Sequence, residues 1–219
     1  MRNLTQPVYF ISGIDTGVGK TVITGLLARW LMQKGVKVIT QKLAQTGCIG
    51  ISEDILEHRK MANMKLQECD KDFTTCPFVY PFPASPHLSA ELEGKVIDTT
   101  EVALNTRRLL QNFDVVLLEG AGGLMVPITR TELTINYIAE QKLPLILVTT
   151  PKLGSINHTL LSLEACLLRN IEITALIYNE YLEAPTVISA DSKRVFKEYL
   201  EKNSPETEFV EIRANQEFI

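Results

Sequence analysis

Apolar positions along the chain fall into two periods. Short runs at Val8–Ile11, Val36–Thr40, Val115–Leu118, Leu143–Thr149 and Ile173–Tyr178 are bounded by Gly, Pro or polar residues, the form taken by strands buried on both faces of a sheet. Between them the spacing changes to three and four. Val22, Ile23, Leu26, Leu27, Trp30 and Leu31 recur on one helical face and stop at Gly35, a helix C-cap residue. Further helices are predicted over Ser52–Met61, from a cap at Asp98 or Thr99 through Leu110, over Thr159–Arg169 and over Val195–Leu200, with a last short strand at Glu208–Ile212. Strands alternating with helices predict a single α/β domain over residues 1–219, a mainly parallel sheet with helices on both faces and right-handed crossovers. Cys69–Pro86 breaks both periods with Pro77, Pro81, Pro83 and Pro86 among Phe73, Phe78, Tyr80 and Phe82. That segment reads as an irregular loop, long enough for a binding role.

The chemistry concentrates where strands end. Gly13-Ile14-Asp15-Thr16-Gly17-Val18-Gly19-Lys20-Thr21 joins the first strand to the helix opening at Val22. A glycine-rich turn into a helix N-terminus gathers backbone N–H groups and the positive end of the helix dipole into one phosphate-binding concavity. Lys20 can reach β- and γ-phosphates and the Thr21 hydroxyl can ligate Mg²⁺. Five residues separate Gly13 from Gly19, where the usual P-loop has four, so this is a modified P-loop of an NTPase-type fold. Lys42 follows the second strand, at the sheet edge where ligands bind. A P-loop fold normally sets that strand beside the first, which would turn Lys42 to the phosphates; a solvated lysine is the alternative. Glu119 closes the apolar strand Val115–Leu118 and is followed by Gly120-Ala121-Gly122-Gly123. A carboxylate at a strand tip suits Mg²⁺, and small residues after it let backbone approach a transferred phosphoryl group. Pro151–His158 leads into a helix whose free N–H groups suit a carboxylate or phosphate. Asp54, on the predicted helix 52–61, is by itself an ordinary surface acid.

Composition narrows the partners. The 219 residues are 45% hydrophobic and 22% charged with net charge −4, an ordinary globular composition without the basic footprint of a nucleic-acid or anionic-membrane binder. Residues 1–7 lack a signal-peptide apolar core, and no run reaches the roughly 20 apolar residues of a membrane span, so a cytoplasmic protein is expected. Cys48, Cys69, Cys76 and Cys166 form no CxxC pair and read as buried or incidental thiols; His58, His87 and His158 are scattered.

In order and spacing, GIDTGVGKT at 13–21, KLAQTG at 42–47, Asp54 in SEDIL, SPH at 85–87, EGAGG at 119–123, KLGSINH at 152–158 and the Asn179-Glu180 pair resemble the dethiobiotin synthetase family over nearly the whole chain. The resemblance implies that CO₂ adds to an amine of 7,8-diaminononanoate, ATP phosphorylates the carbamate, and the second amine closes a urea ring with release of ADP and phosphate. It implies Lys42 and Lys20 as catalytic residues, with Thr46 and Lys42 on the substrate and Thr21, Asp54 and Glu119 holding Mg²⁺. It implies a nucleotide site of Thr16, Gly17, Val18, Gly19, Lys20, Thr21, Val22, Asp54, Glu119, Gly120, Ala121, Gly122, Asn179 and Glu180, Asn179 meeting the purine. Leu153, Gly154, Ser155, Ile156 and Asn157 would hold the substrate carboxylate, partly across a homodimer interface. Leu43 stands where the family often has Pro, Thr46 where Ser is common and Gly17 where some members carry an acid.

Two relatives of the modified P-loop are set against this reading. Partition and positioning ATPases, which act as nucleotide switches, carry a lysine five residues before the P-loop lysine, where this chain has Asp15, and a basic surface or C-terminal amphipathic helix that residues 215–219 do not supply. The amide-forming ligase of cobalamin synthesis needs a fused glutaminase domain, for which no residues remain. The family often continues past its last strand to enclose the base, whereas Glu211–Ala214 nearly ends this chain. Looser discrimination among nucleoside triphosphates is therefore expected; a measured preference for ATP over GTP above about a hundredfold, on the order of 3 kcal/mol, contradicts it.

Overall fold

The computed structural model describes residues 4–181 and 185–213. The readings that rest on residues 1–3 and 214–219, including the absence of a C-terminal amphipathic helix, lie outside the described residues. The elements in chain order are β1 (Val8–Gly13), α1 (Lys20–Gln33), β2 (Val38–Lys42), β3 (Gln45–Thr46), α2 (Glu53–Met61), α3 (Glu68–Lys71), β4 (Val79–Tyr80), α4 (Pro86–Leu92), α5 (Thr99–Leu109), β5 (Val115–Gly123), α6 (Thr134–Glu140), β6 (Leu145–Thr149), α7 (Ser155–Leu167), β7 (Ile173–Asn179), α8 (Thr186–Asn203) and β8 (Glu208–Ile212). No helix among them is long and apolar enough to cross a membrane.

Six strands form one sheet in the order β2-β5-β1-β6-β7-β8, every neighbouring pair parallel. The expectation that β2 lies beside β1 is corrected, because β5 stands between them. The reason is burial. Val115 to Leu118 are apolar on both sides and can occupy a central position, whereas β2 ends in Thr40, Gln41 and Lys42 and takes the edge. Lys42 nevertheless reaches the site, since the β2–β5 register pairs it with Glu119.

Alternation along each central strand divides the core in two. Tyr9, Ile11, Leu117, Ile146 and Val148 face α1 with Ile23, Leu27 and Leu31, while Phe10, Leu118, Leu145 and Leu147 face the opposite layer with Ile135, Ile138, Leu163 and Phe196. Helices thus cover both faces, as the pattern predicted.

Several bounds differ from the pattern. α8 runs well beyond Val195–Leu200 because only Ser192, Phe196 and Leu200 of it are buried, too narrow a stripe to mark its full length. α7 opens at Ser155 rather than Thr159, behind Gly154 in a left-handed conformation at φ 89°. The segment Cys69–Pro86 is more ordered than an irregular loop: it contains part of α3, and β4 pairs with β3. Isolated two-residue strands carry no periodicity, which is why they escaped the pattern.

α1 and α2 pack at close range through Gly25. A Cβ there would lie 2.5 Å from Cβ of Met61 and 3.2 Å from Cα of His58. Gly→Ala inside a helix ordinarily gains about 1 kcal/mol. Here we expect Gly25→Ala to destabilise by about 1–3 kcal/mol, because α2 must move away; an unchanged or raised midpoint in urea unfolding would contradict this packing.

Candidate functional site

The turn after β1 is shaped by two glycines in the left-handed region, Gly17 at φ 74° and Gly19 at φ 88°. Lys20, the first residue of α1, is buried and its Nζ donates back to the Asp15 carbonyl at 3.1 Å. Asn179, at the end of β7, holds the turn from behind. Its Nδ2 donates to the Val18 carbonyl at 2.9 Å, and its Oδ1 accepts from the Tyr181 N–H at 3.1 Å. A Cβ on Gly19 would collide with that same amide nitrogen. One N–H and one lone pair of Asn179 remain for a further partner. Glu180 accepts instead from Ser189, Lys193 and Arg213, a network that ties β7 to α8 and β8.

Beside the turn lies a buried charge cluster. Lys42 Nζ donates to Glu119 Oε1 at 2.8 Å and to the Gly120 carbonyl at 3.0 Å, and it meets Asp54 Oδ2 at 2.5 Å. Thr21 Oγ1 donates to the same Glu119 oxygen at 3.1 Å. The other oxygen, Oε2, lies 2.7 Å from His58 Nε2. Asp54 and His58 are four residues apart on α2, hence on one face, and so flank the Lys42–Glu119 pair together. Burial works against the Lys42 charge, but the Glu119 and Asp54 carboxylates outweigh it and hold the ammonium above its usual value. Burial alone would likewise push Glu119 up; Lys42 and His58 outweigh it and hold the carboxyl well below the usual range. Lys20 goes the other way. Its burial, then the nearby Lys42 charge, lower it from 10.5 to about 8.

A cavity of about 370 Å³ opens onto this cluster. Of the residues singled out by sequence, Thr16, Gly17, Gly19, Lys20 and Thr21 line it from the turn, Lys42, Thr46 and Asp54 from the β2 side, and Glu119, Ala121 and Gly122 from β5. Val18, Val22, Gly120, Asn179, Glu180 and residues 153–157 are not among its lining. Gly120 meets the charge cluster instead, through its carbonyl on Lys42. At the head of α7, Ser155 Oγ pairs with Thr150 Oγ1 at 3.1 Å, while Leu153 stands 79% exposed.

A hydroxyl and two carboxylates are the hard oxygen donors that Mg²⁺ selects. Thr21 Oγ1 and Glu119 Oε1 already lie together, and Asp54 faces the same cavity. The donor set therefore fits the cation. Among the described residues no group of three or more His, Cys, Asp or Glu could hold a metal, so a cation here would need further oxygens from phosphate and water, the habit of Mg²⁺ in nucleotide sites.

Sequence reading missed the support behind the cluster. His58, scattered in the sequence, is fully buried, and its Nδ1 lies 3.0 Å from Thr40 Oγ1. Arg59 NH1 donates to that hydroxyl at 2.7 Å and pairs through NH2 with Asp70 Oδ1 at 2.6 Å. The four-residue step from Asp54 to His58 on a predicted helix was the available signal. All four thiols are free; Cys48, Cys76 and Cys166 are buried and Cys69 is half-buried, and burial raises Cys69 to about 11 and Cys76 and Cys166 to about 12.

Comparison with known proteins bears on the family and the fold. An AAA domain family matches residues 8–210. The chain is similar to the ATP-dependent dethiobiotin synthetase BioD of Chlorobaculum tepidum, at 53% identity over 195 residues, 89% of this chain and 82% of the relative. It is 50% identical over 202 residues to the ATP-dependent dethiobiotin synthetase BioD 2 of Pasteurella multocida, covering 92% of this chain and 95% of that one. Among solved structures, a ParA family ATPase from Chlorobium tepidum superposes with a TM-score of 0.56 at 17% identity, over 97% of this chain and 86% of that one. At that identity the likeness is one of fold.

The lowered value of Lys20 would make the binding of a phosphate beside it proton-linked. Its folded-state value near 8 lies below the ordinary 10.5, so between these values the unfolded chain holds more protons and Lys20's contribution to stability rises with pH. A bound polyphosphate restores the charged form. At about pH 8.5 we expect nucleotide binding to take up most of a proton, measured calorimetrically in buffers of different ionisation enthalpy, and this uptake to vanish in Lys20→Arg. Equal uptake by both proteins would rule out Lys20 as its source.

Proposed function

The chain belongs to the family of ATP-dependent dethiobiotin synthetases, and on that premise we propose that it is an ATP-dependent C–N bond-forming ligase of biotin synthesis, converting 7,8-diaminononanoate and CO₂ to dethiobiotin. CO₂ adds to one amine to give a carbamate, the γ-phosphoryl group of ATP passes to the carbamate oxygen, and the second amine attacks the carbonyl carbon of this carbamic–phosphoric anhydride. The urea ring closes as phosphate leaves beside ADP.

The observation that carries this reading is the position of Lys42. Its ammonium is held by Asp54 and Glu119 at the wall of the cavity whose turn bears Lys20. The carbamate, the transferred phosphoryl group and the mixed anhydride all carry negative charge, so catalysis consists of positioning and charge stabilisation from fixed groups. Lys42 binds and polarises the carbamate. Lys20 neutralises the phosphates, and Gly17 and Gly19 let the backbone come close to them. Thr46 hydrogen-bonds the substrate, and the remaining N–H and lone pair of Asn179 read the purine edge. Thr21, Asp54 and Glu119 would hold Mg²⁺, which would supply positive charge beside the phosphates.

The start of α7 is assigned to the substrate carboxylate, shared across a homodimer. Supporting this, Leu153 and Leu161 of that region are 79% and 60% exposed, more apolar surface than a lone helix face favours. Sedimentation at the mass of one chain under assay conditions would sink the shared site.

ADP release is to be followed with Mg-ATP and bicarbonate, with and without 7,8-diaminononanoate, for the wild type and Lys42→Ala. Turnover that needs the diamine and drops by about a hundredfold or more in the variant is expected. Diamine-independent hydrolysis indifferent to Lys42 would return a switch ATPase to first place.

A further inference from the structure

His58 hydrogen-bonds the Glu119 oxygen that is not shared with Thr21 and Lys42. It is fully buried and does not line the cavity, so it reaches bound molecules only through Glu119. Arg59 has no acceptor, so it donates to Thr40 Oγ1 at 2.7 Å. The Glu119 carboxylate accepts from His58 Nε2–H at 2.7 Å, and the ring is held from behind by the Thr40 hydroxyl, 3.0 Å from Nδ1. The far end is anchored too. Asp70 accepts from Arg59 Nε at 2.9 Å and from NH2 at 2.6 Å, and also from Thr75 Oγ1 at 2.8 Å. The Thr75 carbonyl in turn accepts from the Lys42 backbone N–H at 2.7 Å, so the chain of contacts returns to the lysine it serves.

A carboxylate on a flexible side chain can present either oxygen, or both, to a cation. Here one oxygen is taken by His58, and the other lies toward Thr21 and Lys42. We propose that His58 is a positioning residue for Glu119: with Thr40 and Arg59 behind it, it fixes which carboxylate oxygen faces the cavity and so raises the affinity for the Mg-nucleotide over that for the free nucleotide. The inference rests on the assignment of Thr21 and Glu119 to the cation. Ligands oriented by such outer partners lose about 10- to 100-fold in metal affinity when the partner is removed.

The test titrates ATP, with and without Mg²⁺ at constant ionic strength, into full-length wild type, His58→Phe, His58→Gln and Thr40→Val, and compares the gain in affinity on adding Mg²⁺. In His58→Phe this gain is expected to fall about tenfold or more while metal-free binding stays within about twofold of wild type. Glutamine, whose amide N–H can replace the Nε2–H, restores most of the gain, and Thr40→Val, which removes only the hydroxyl behind the ring, falls between. A merely structural role would lower both affinities together. That result, a wild-type gain in His58→Phe, or a glutamine variant as poor as phenylalanine would overturn the proposal. Should His58→Phe fail to fold, Thr40→Val and His58→Gln decide by the same ratio: a reduced gain in the former with a retained one in the latter supports it, and any other pair of outcomes overturns it. The wild type alone judges the cation assignment. If its affinity gains nothing from Mg²⁺, that assignment falls and this inference with it, whereas a gain that no variant alters overturns the role of His58 only.

Discussion

A lysine and a glutamate buried side by side on neighbouring parallel strands set the terms for everything around them. Lys42 and Glu119 are 4% and 0% exposed and stand in register across β2 and β5. Removing two such ions from water costs several kcal/mol each, and the cost is met only when every remaining donor and acceptor finds a partner. Asp54, Thr21, His58 and the Gly120 carbonyl are those partners. A slip of one residue in the β2–β5 register would put the two charges on opposite faces of the sheet. The pair therefore specifies strand register and the seat of α2 as well as the chemistry of the cavity.

Meeting those partners requires backbones to come close, and small residues permit it. Gly25 lets α1 lie against α2, which carries both Asp54 and His58. Gly19 leaves room for the Asn179 amide beneath the turn, so β7 secures a loop that β1 and α1 deliver. The site is thus assembled from β1, β2, β3, β5 and β7 with α1 and α2, its charged atoms on rigid elements. Electrostatic preorganisation of this kind needs no reorganisation when a charged substrate arrives.

Much of the architecture was legible because it is local or strongly periodic. The runs at Val8, Val115, Leu143 and Ile173 are apolar on both faces, which only central parallel strands tolerate, and the glycine turn before Lys20 announces a phosphate cradle by composition alone. What escaped was weakly periodic or purely relational. α8 buries a three-residue stripe, and β3 and β4 are too short to show alternation. His58 was passed over because a histidine carries no functional mark until its neighbours are known.

The sequence by itself determined the α/β alternation, the glycine turn, the carboxylate directly after Val115–Leu118 (though not that the strand runs on through it to Gly123, which puts Glu119 in the middle of β5 and not at its tip) and, through its resemblance, the family, since each of these is written in residues close together or in a fixed order of motifs. Only the tertiary structure decided that β5 stands between β1 and β2, that Lys42 meets Glu119 rather than solvent, and that Arg59, Thr40 and His58 stand in line behind the site. Those facts depend on which strand best tolerates burial on both faces and on contacts between residues 61 and 77 positions apart, and no local pattern along a chain records either.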